Sequence, residues 1–369
     1  MEGISSSQVT PESAVEAPRK NKIWIIGGIA IIALLVLAVG GWKWAGGYYH
    51  EKGISDMQAG DYESAKSHLT RALTFDSKNS LIHARLGRAE LGPADPQGDI
   101  YFPRADYKEA TRHIEQAVSL GLKDENISLY ASSLEHAAYY YWTLKEYTKA
   151  TALYKEEIAL APDTSFWPRY LLASDYFLRS NKPEEALGYL ISIRESARNP
   201  FETKNLYKPL TLVARIYALL KDFTNAETFA KLALESNPPN DALEAQIAHN
   251  ILALSAGAKK DFVTAEKEVK TSNELSKMPD SQNCILAYAY YLGKDYKKAI
   301  AQAKNIPGKV AYVDTFCPRA AGHSYFDQKK TKEARQYLEE YMRLTASLEE
   351  KNAAVLRERD EVAKILEGL

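Results

Sequence analysis

One short phrase recurs along the chain and constrains the fold more than any other feature of the sequence. In its commonest form an acidic residue precedes an aromatic residue, and an alanine stands three positions after the aromatic one. The paired positions are Tyr62 and Ala65, Tyr107 and Ala110, Tyr147 and Ala150, Pro183 and Ala186, Phe223 and Ala226, Phe262 and Ala265, Tyr296 and Ala299, and Thr331 and Ala334. Because alanine makes up roughly one residue in ten, chance does not place it in every copy.

Two further positions repeat with the phrase. Four residues after the alanine stand Leu69, Ile114, Tyr154, Leu190, Ala230, Val269, Ala303 and Leu338. Nine residues before the aromatic position stand the small residues Gly53, Ala138, Ser174, Ala214, Ala253, Ala287 and Gly322, and Gly87 takes this role in the second copy if an insertion follows it. Small residues on facing helices let the backbones approach, and the i, i+4 apolar residue completes a buried stripe. The pattern predicts about eight helical hairpins that bury their apolar faces by stacking on one another.

The phrase also predicts where the second helix of each hairpin begins. An acidic residue just before the aromatic position can accept a hydrogen bond from a free backbone N–H of the first helical turn. Its negative charge also lies at the positive end of the helix dipole. We therefore expect the acidic residue to be the N-cap of the second helix.

The pattern resembles that of the tetratricopeptide repeat (TPR) family, over about residues 46–344. The fifth copy matches best, with Ala214, Tyr217, Phe223, Ala226, Ala230, Ala233 and Pro238 at the family's signature positions. The resemblance implies an all-α fold, an α-solenoid of TPR-like hairpins. Successive aromatic positions are 45, 40, 36, 40, 39, 34 and 35 residues apart, against about 34 in the family, so a regular superhelix is not expected.

In proteins of this family the first helix of each hairpin lines a concave groove that takes a peptide or a partner helix. Carried over position by position, the resemblance gives these groove candidates: Glu135, Tyr139, Trp142, Leu171, Asp175, Arg215, Asn250, Tyr288, Tyr291, Arg319 and His323. Aromatic and arginine side chains are the residue types that contribute most at protein interfaces. The alternative is that half of these side chains only pack between repeats.

The beginning of the chain predicts a membrane anchor. An uncharged apolar run of 19 residues extends from Ile23 to Gly41, which nearly crosses a bilayer as a helix. Trp24 lies at the start of this run, and Trp42 and Trp44 lie just after its end. Aromatic residues are enriched at these two positions, the membrane interfaces, in spanning helices. We predict a single transmembrane helix over residues 23–45, with a cleaved signal peptide as the alternative.

The charge around this segment predicts its orientation. Three basic residues, Arg19, Lys20 and Lys22, precede the run and only Lys43 follows it closely, which favours a cytoplasmic N-terminus. Residues 1–22 are then a disordered cytoplasmic tail. The repeats are predicted to lie outside the cytoplasm, in the periplasm of a bacterium, on the inner membrane.

Two segments depart from the repeats. Residues 92–106 contain three prolines and are predicted to form an inserted loop, which either is only exposed or contacts a partner. Residues 345–369 are predicted to form a helix that caps the last repeat, since Leu348, Val355, Val362 and Leu369 recur every seven residues. A short coiled-coil contact is the alternative there.

The two cysteines, Cys284 and Cys317, fall on the first helices of successive hairpins. Packed helices rarely bring Cα atoms within the roughly 4.4–6.8 Å that a disulfide needs. The sequence therefore favours two buried free thiols, with a disulfide as the alternative.

The sequence contains no motif that predicts catalysis. It has no phosphate-binding loop, no paired-cysteine metal site and no nucleophile elbow, so we predict no catalytic residue, metal, cofactor or small-molecule substrate. The 47 basic and 48 acidic residues give a net charge of −1, which argues against nucleic acid as a partner.

The predicted function is that of a membrane-anchored scaffold that binds a protein or peptide, itself membrane-associated, and helps to assemble an envelope or secretion complex. Its second contact is the lipid bilayer, through residues 23–45. The alternatives are a chaperone-like holder of exported polypeptides and an accessory subunit of a membrane enzyme complex.

Overall fold

Helices account for all regular secondary structure in the part of the chain that the structure, a computed structural model, describes. This part comprises residues 20–93, 106–162, 166–196, 205–236, 241–276, 282–304, 315–346 and 353–369, with only the backbone described for 20–38, 194–196 and 353–354. The predicted all-α fold is confirmed for these ranges. The described residues form two units, one of residues 20–93 and 106–126 and one of residues 127–369.

The first unit contains two hairpins. Its helices are α1 (Lys20–Gln58), α2 (Tyr62–Phe75), α3 (Ser80–Leu91), α4 (Tyr107–Ser119) and the single turn α5 (Leu122–Glu125). Helix α1 pairs with α2 and α3 with α4, while α2 packs on α3 and α5 packs against α3 and α4. The predicted insertion at 92–106 falls largely outside the described residues.

The second unit contains six hairpins and one further helix. Its helices are α6 (Ile127–Thr143), α7 (Tyr147–Leu160), α8 (Phe166–Leu178), α9 (Pro183–Ser196), α10 (Tyr207–Leu219), α11 (Phe223–Ser236), α12 (Ala242–Ala258), α13 (Phe262–Leu275), α14 (Asn283–Leu292), α15 (Tyr296–Ala303), α16 (Phe316–Asp327), α17 (Thr331–Thr345) and α18 (Ala353–Gly368). From α8 to α16, the first helices of successive hairpins pack on one another, so the unit is a solenoid of TPR-like hairpins.

The turn inside the hairpins follows one plan. The residue before the N-cap has a positive φ at Gly60, Lys145, Asn181, Lys221, Lys260, Lys294 and Lys329. This left-handed residue lets the next N–H bond back to the first helix, as where the Asp261 N–H donates to the Ala256 carbonyl over 2.9 Å. The first helix therefore ends, and the second begins, within about three residues in every hairpin of this kind.

The predicted N-caps are confirmed where the acidic residue is aspartate. The Asp261 carboxylate accepts a hydrogen bond from the Thr264 N–H over 3.1 Å, and the same bond forms at Asp61, Asp106, Asp222 and Asp295. Glu146 is also the N-cap of its helix, but its side chain does not accept the expected hydrogen bond from the first turn. Its longer side chain reaches Lys149 instead, at 2.6 Å.

The repeated alanine is the contact point of each hairpin. All eight alanines are at most 2% exposed, as are the eight residues four positions later. Where the small position of the first helix is glycine, a side chain there would collide with the second helix, because a Cβ atom on Gly53 would lie 2.6 Å from Cγ of Leu69. At Gly87 it would lie 2.9 Å from the Ala110 carbonyl oxygen. The close approach predicted from the small residues is confirmed.

The preference for free thiols was wrong. Cys284 and Cys317 form a disulfide, with their Cα atoms 4.6 Å apart. Each is the second residue of its helix, in α14 and α16, and both are fully buried beside Ala287 and Ala320. The usual distance between helix axes does not apply at this point, because small neighbours let the two helix ends converge.

Helix α1 runs without a break from Lys20 into the first hairpin. The predicted transmembrane segment, 23–45, lies mostly where side chains are outside the described residues, and Trp24 is among them. Of the other two predicted anchors, Trp42 donates its indole N–H to the Phe75 carbonyl over 2.9 Å, and Trp44 is 72% exposed. Within the described residues, no helix is both long enough and apolar enough to cross a bilayer.

Candidate functional site

All the predicted groove residues lie on first helices of the second unit. Helix α6 carries Glu135, Tyr139 and Trp142, α8 carries Leu171 and Asp175, α10 carries Arg215, α12 carries Asn250, α14 carries Tyr288 and Tyr291, and α16 carries Arg319 and His323. The structure divides them into two groups, one around a cavity between α8 and α16 and one on α6 and α8.

The cavity has a volume of about 310 Å³. Four of the predicted residues line it, namely Arg215, Asn250, Tyr288 and Arg319. The rest of its wall is mostly apolar and includes Phe177, Leu219, Phe223, Leu243, Ile247, Leu254, Ile285 and Phe316. The site therefore combines a large apolar surface with a few basic groups, which is the composition of a ligand pocket.

Helix α18 forms one wall of this cavity through Glu358. The carboxylate of Glu358 lies 2.6 Å from the Arg319 guanidinium, and both side chains are less than 10% exposed. The Tyr341 hydroxyl also donates to Glu358, over 3.2 Å. One turn further along, Glu361 accepts a hydrogen bond from the Lys221 ammonium group at 3.1 Å. The last helix of the chain thus places two carboxylates on the basic side of the cavity.

The same helix is held by apolar contacts. Val355 and Val362 are fully buried, and Val362 packs with Leu338 and Tyr341 of α17. Helix α18 also contacts α8. The described part of the predicted capping segment, Ala353–Gly368, packs on the last hairpin, and in addition it lines the cavity through Glu358.

Aromatic stacking orders the α14 and α16 side of the cavity. The Arg319 guanidinium lies over the Tyr288 ring, 4.6 Å from its centroid, and Tyr291 stacks on His323 at 5.3 Å. Burial, together with the positive charges of Arg319 and Lys221, lowers the pKa of His323 to about 3. Burial raises the pKa of Tyr288. Both rings are therefore neutral packing surfaces near neutral pH.

Asn250 is held rigidly at the edge of the cavity. Its side-chain amide donates to the Gln282 carbonyl oxygen over 2.7 Å. Its own carbonyl oxygen accepts a hydrogen bond from the Ser272 hydroxyl, also over 2.7 Å. These bonds tie α12 to α13 and to the start of α14, so this residue shapes the wall of the cavity.

The remaining predicted residues do not reach the cavity. Trp142 stacks on Tyr139 at 6.2 Å, and Leu171 packs beside it against the cluster of Ala138, Ala150 and Tyr154. Asp175 forms an ion pair with Arg179 at 3.3 Å. The Arg179 guanidinium also covers the rings of Trp142 and Tyr147. This group, with Glu135, packs around α6, α7 and α8 near the start of the unit, away from the cavity.

Two features of the site were missed by sequence reasoning. The apolar lining could have been found from helical spacing, because Ile247 lies one turn and Leu243 two turns before Asn250 on α12. Glu358 could also have been found, because it follows Val355 by three residues and precedes Val362 by four, which places it on the same buried stripe. A charged residue on such a stripe needs a buried partner.

No metal site is evident in the part of the chain described, where no cluster of three or more histidine, cysteine, aspartate or glutamate residues could hold an ion. Three of the described histidines, His83, His113 and His249, make hydrogen bonds inside hairpins. His83 and His113 are joined through their Nδ1 atoms over 3.0 Å, and His249 bonds Glu268 over 2.6 Å. These bonds connect neighbouring helices and place no histidine beside a nucleophile.

Comparison with known proteins supports the repeat assignment. A family model described as the tetratricopeptide repeat matches residues 207–240, which include helices α10 and α11. This is the copy whose signature positions are most complete. No curated protein sequence matches the chain.

Several solved structures are similar in fold. PilF of Pseudomonas aeruginosa is 19% identical, and the alignment covers 64% of this chain and 93% of PilF with a TM-score of 0.43. The C-terminal part of a TPR repeat-containing protein from Cytophaga hutchinsonii is 16% identical, with coverage of 70% and 93% and a TM-score of 0.47. PilW, described as a widely conserved type IV pilus biogenesis factor, is 16% identical, with coverage of 72% and 94% and a TM-score of 0.35.

Proposed function

We propose that this chain of TPR-like hairpins is a membrane-anchored scaffold that binds a segment of a partner protein in the cavity between α8 and α16. The observation that carries the proposal is the cavity itself. It is mostly apolar, it is lined mainly by first helices, and its lining includes Leu243, which is 63% exposed. An exposed leucine beside a pocket is a surface on which a partner's apolar side chain can be buried.

Binding of this kind needs no chemistry from the chain. The apolar wall removes a partner's side chains from water, while Arg215 and Asn250 at the edge fix the orientation of its polar groups. The rigid positioning of Asn250 and the packed aromatic rings keep the cavity formed before the partner arrives. Such preorganisation lowers the entropic cost of association. A scaffold with no catalytic role is the function that fits these features.

The anchor is proposed from the sequence, through residues 23–45. Helix α1 supports it, since its backbone continues from Lys20 into the first hairpin and gives an anchor a direct connection to the repeats. The disulfide between Cys284 and Cys317 supports a location outside the cytoplasm, because stable disulfides form in oxidising compartments. We propose the inner membrane of a bacterium, with the repeats in the periplasm and a partner in envelope or secretion-complex assembly.

Site-specific photo-crosslinking in intact cells tests the binding site. A photoreactive phenylalanine analogue at Leu243 should crosslink to one or two stoichiometric partner proteins. The control position is Val263 on α13, which is 81% exposed and lies outside the cavity lining. Equal crosslinking from both positions, or none from Leu243, would contradict the proposal. A broad set of weakly crosslinked exported proteins would identify a holder of polypeptides instead.

The topology is tested separately. A reporter enzyme that is active only outside the cytoplasm, fused after Leu369, should be active in a bacterial host, and the same reporter fused before Arg19 should be inactive. The opposite result would place the repeats in the cytoplasm and would remove the envelope role from the proposal.

A further inference from the structure

Three cationic side chains line the cavity, and α18 supplies a carboxylate to two of them. Arg319 holds Glu358 at 2.6 Å, and Lys221 holds Glu361 at 3.1 Å. The third cation is Arg215, on α10. Since the same helix supplies the carboxylates that pair with these two cations, α18 shows that this surface binds a helix that carries carboxylates.

Arg215 differs from the other two. Its guanidinium lies 5.6 Å from the centroid of the Phe177 ring and is half-buried in the apolar wall. Its positive charge acts on Glu244, whose carboxyl pKa is raised by burial and lowered in part by Arg215. Within the described ranges, no carboxylate oxygen comes within salt-bridge distance of Arg215. Guanidinium remains charged at all physiological pH values, so a ligand carboxylate can pair with it there.

The partner's shape is suggested by α18 as well. Its buried positions, Val355, Glu358 and Val362, place one carboxylate between two apolar side chains on a single helical face. The open part of the cavity is complementary to such a face. It places an apolar surface, Leu243 and Ile247, beside the cation Arg215. The same kind of helix face therefore fits beside α18.

We infer that the partner segment is an acidic amphipathic helix that binds alongside α18, with a carboxylate on Arg215 and apolar side chains against Leu243 and Ile247. This inference rests on the proposed function and adds the chemistry of the ligand. Helix α18 remains in place and forms one wall of the complete site. The burial of Val355 and Val362 holds α18 there, because displacing the helix would expose these two side chains and the last hairpin to water.

The test uses the purified full-length chain in detergent and a display library of random 16-residue peptides. Selected peptides should carry Asp or Glu three or four residues from large aliphatic side chains. A synthetic copy of the most enriched peptide should bind the chain about tenfold more weakly after Arg215→Gln. Replacing the acidic residue of that peptide by its amide should cause a similar loss, and the two changes together should add little.

Two controls keep the result specific. Lys267→Gln removes one positive charge from an exposed position on α13 and should leave the dissociation constant unchanged. Thermal unfolding of the Arg215→Gln and Arg215→Lys chains should match that of the parent chain, and Arg215→Lys should retain part of the affinity, because it keeps the charge and loses the planar fork.

Several outcomes would overturn the inference. These are enriched peptides without acidic residues, affinity that is independent of Arg215, exchange of α18 between two copies seen as a stable dimer, and binding of a fatty acid in the cavity with no peptide enriched. The crosslink from Leu243 in cells does not depend on acidic residues. If that crosslink persists while the peptides fail, the ligand chemistry is wrong and the scaffold proposal stands.

Discussion

The two ends of the second unit treat buried charge in opposite ways. Near its start, the packed interior around α6, α7 and α8 contains Glu135, Glu157 and Asp175, and of these Asp175 has an ion pair, with Arg179 at 3.3 Å. Near its end, the buried Arg319 is paired with the buried Glu358. Both regions belong to the same series of hairpins, so repeat geometry alone does not decide how a charge is accommodated.

At the start of the unit, the carboxyl groups of Glu157 and Glu135 are neutralised by protonation and not by a basic side chain. Burial raises the pKa of Glu157, and the neighbouring charge of Glu135 raises it further. Burial likewise raises the pKa of Glu135. The Tyr154 hydroxyl, which is subject to both carboxyl charges, is 2% exposed. The two carboxyl groups lose their charge by taking up a proton, whereas the charge of Arg319 is paired with the carboxylate of Glu358 on α18.

The comparison teaches that a repeat array can complete a buried site from outside the repeats. The last hairpins contain the buried Arg319, whose carboxylate partner Glu358 lies on a helix outside the hairpins. A separate helix supplies the missing carboxylate and covers the apolar edge at the same time. The start of the unit has no equivalent helix among the described residues, and its acidic groups are buried at an electrostatic cost.

Breaking the Arg319–Glu358 pair should have the largest effect. Glu358→Gln leaves a buried guanidinium without its counter-charge and should destabilise the second unit by about 3–5 kcal/mol. Urea unfolding followed by circular dichroism measures this. The control is Lys231→Gln, which breaks the exposed pair with Glu227 and should cost less than about 1 kcal/mol.

The double variant Arg319→Met with Glu358→Leu sharpens this prediction. Replacing both charges by apolar groups should restore much of the lost stability, since no unpaired charge is left behind. If Glu358→Gln costs no more than Lys231→Gln, then α18 does not compensate the buried arginine and the contrast between the two ends fails.

At the acidic end, Glu157→Gln should stabilise the protein by about 1–3 kcal/mol at pH 8. The folded state holds a proton on Glu157 above the ordinary carboxyl pKa of 4.5, so its stability falls as the pH rises through the range above 4.5. The gain from the substitution should therefore be small at pH 5 and larger at pH 8. Denaturant unfolding at the two pH values measures it.

The matched substitution is Glu184→Gln, at an exposed position in the first turn of α9. It should change stability little at either pH. A gain from Glu157→Gln that does not depend on pH would show that the carboxyl group is not protonated in the folded state, and the contrast with Arg319 would then need another explanation.

The smallest effect is expected in the turns, which are alike at both ends. Lys145 and Lys329 have φ values of 64° and 59° in their hairpins. Replacing either by glycine removes the strain of a side chain in this conformation and should stabilise the protein by about 0.5–1 kcal/mol. Thermal unfolding of the two variants measures whether the gains are equal.

Lys270→Gly is the control for this pair, because it lies within helix α13 and should lose about 1 kcal/mol. Equal gains at Lys145 and Lys329 would show that the turns contribute the same at both ends. A gain at Lys329 with a loss at Lys145 would show that the lysine charge itself stabilises the acidic end.

Much of the local structure could be predicted from the sequence, because it depends on residues close together in the chain. The alanine of each phrase, the small residue that faces it and the aspartate caps all follow from spacing within one hairpin. Ala265, Gly53 and Asp261 are examples whose environment in the structure is the predicted one.

The parts that could not be predicted depend on how hairpins approach one another. The Cys284–Cys317 bond forms at two helix ends, where the average distance between helix axes is a poor guide. The cavity depends on how several hairpins pack together, and the repeated positions of these hairpins are 34 to 40 residues apart. Apolar periodicity found Val355 and Val362 but passed over Glu358 between them, because its partner Arg319 is remote in the chain.

The disulfide has a mechanical consequence. Cys284 and Cys317 are 33 positions apart and enclose most of α14 and all of α15 in a covalent loop. A pulling force applied along the chain passes through the sulfur–sulfur link and bypasses this hairpin. If α18 or its neighbours are drawn toward a bound assembly, the seventh hairpin stays folded while its neighbours extend. The bond thus sets a maximum length for this end of the molecule under load.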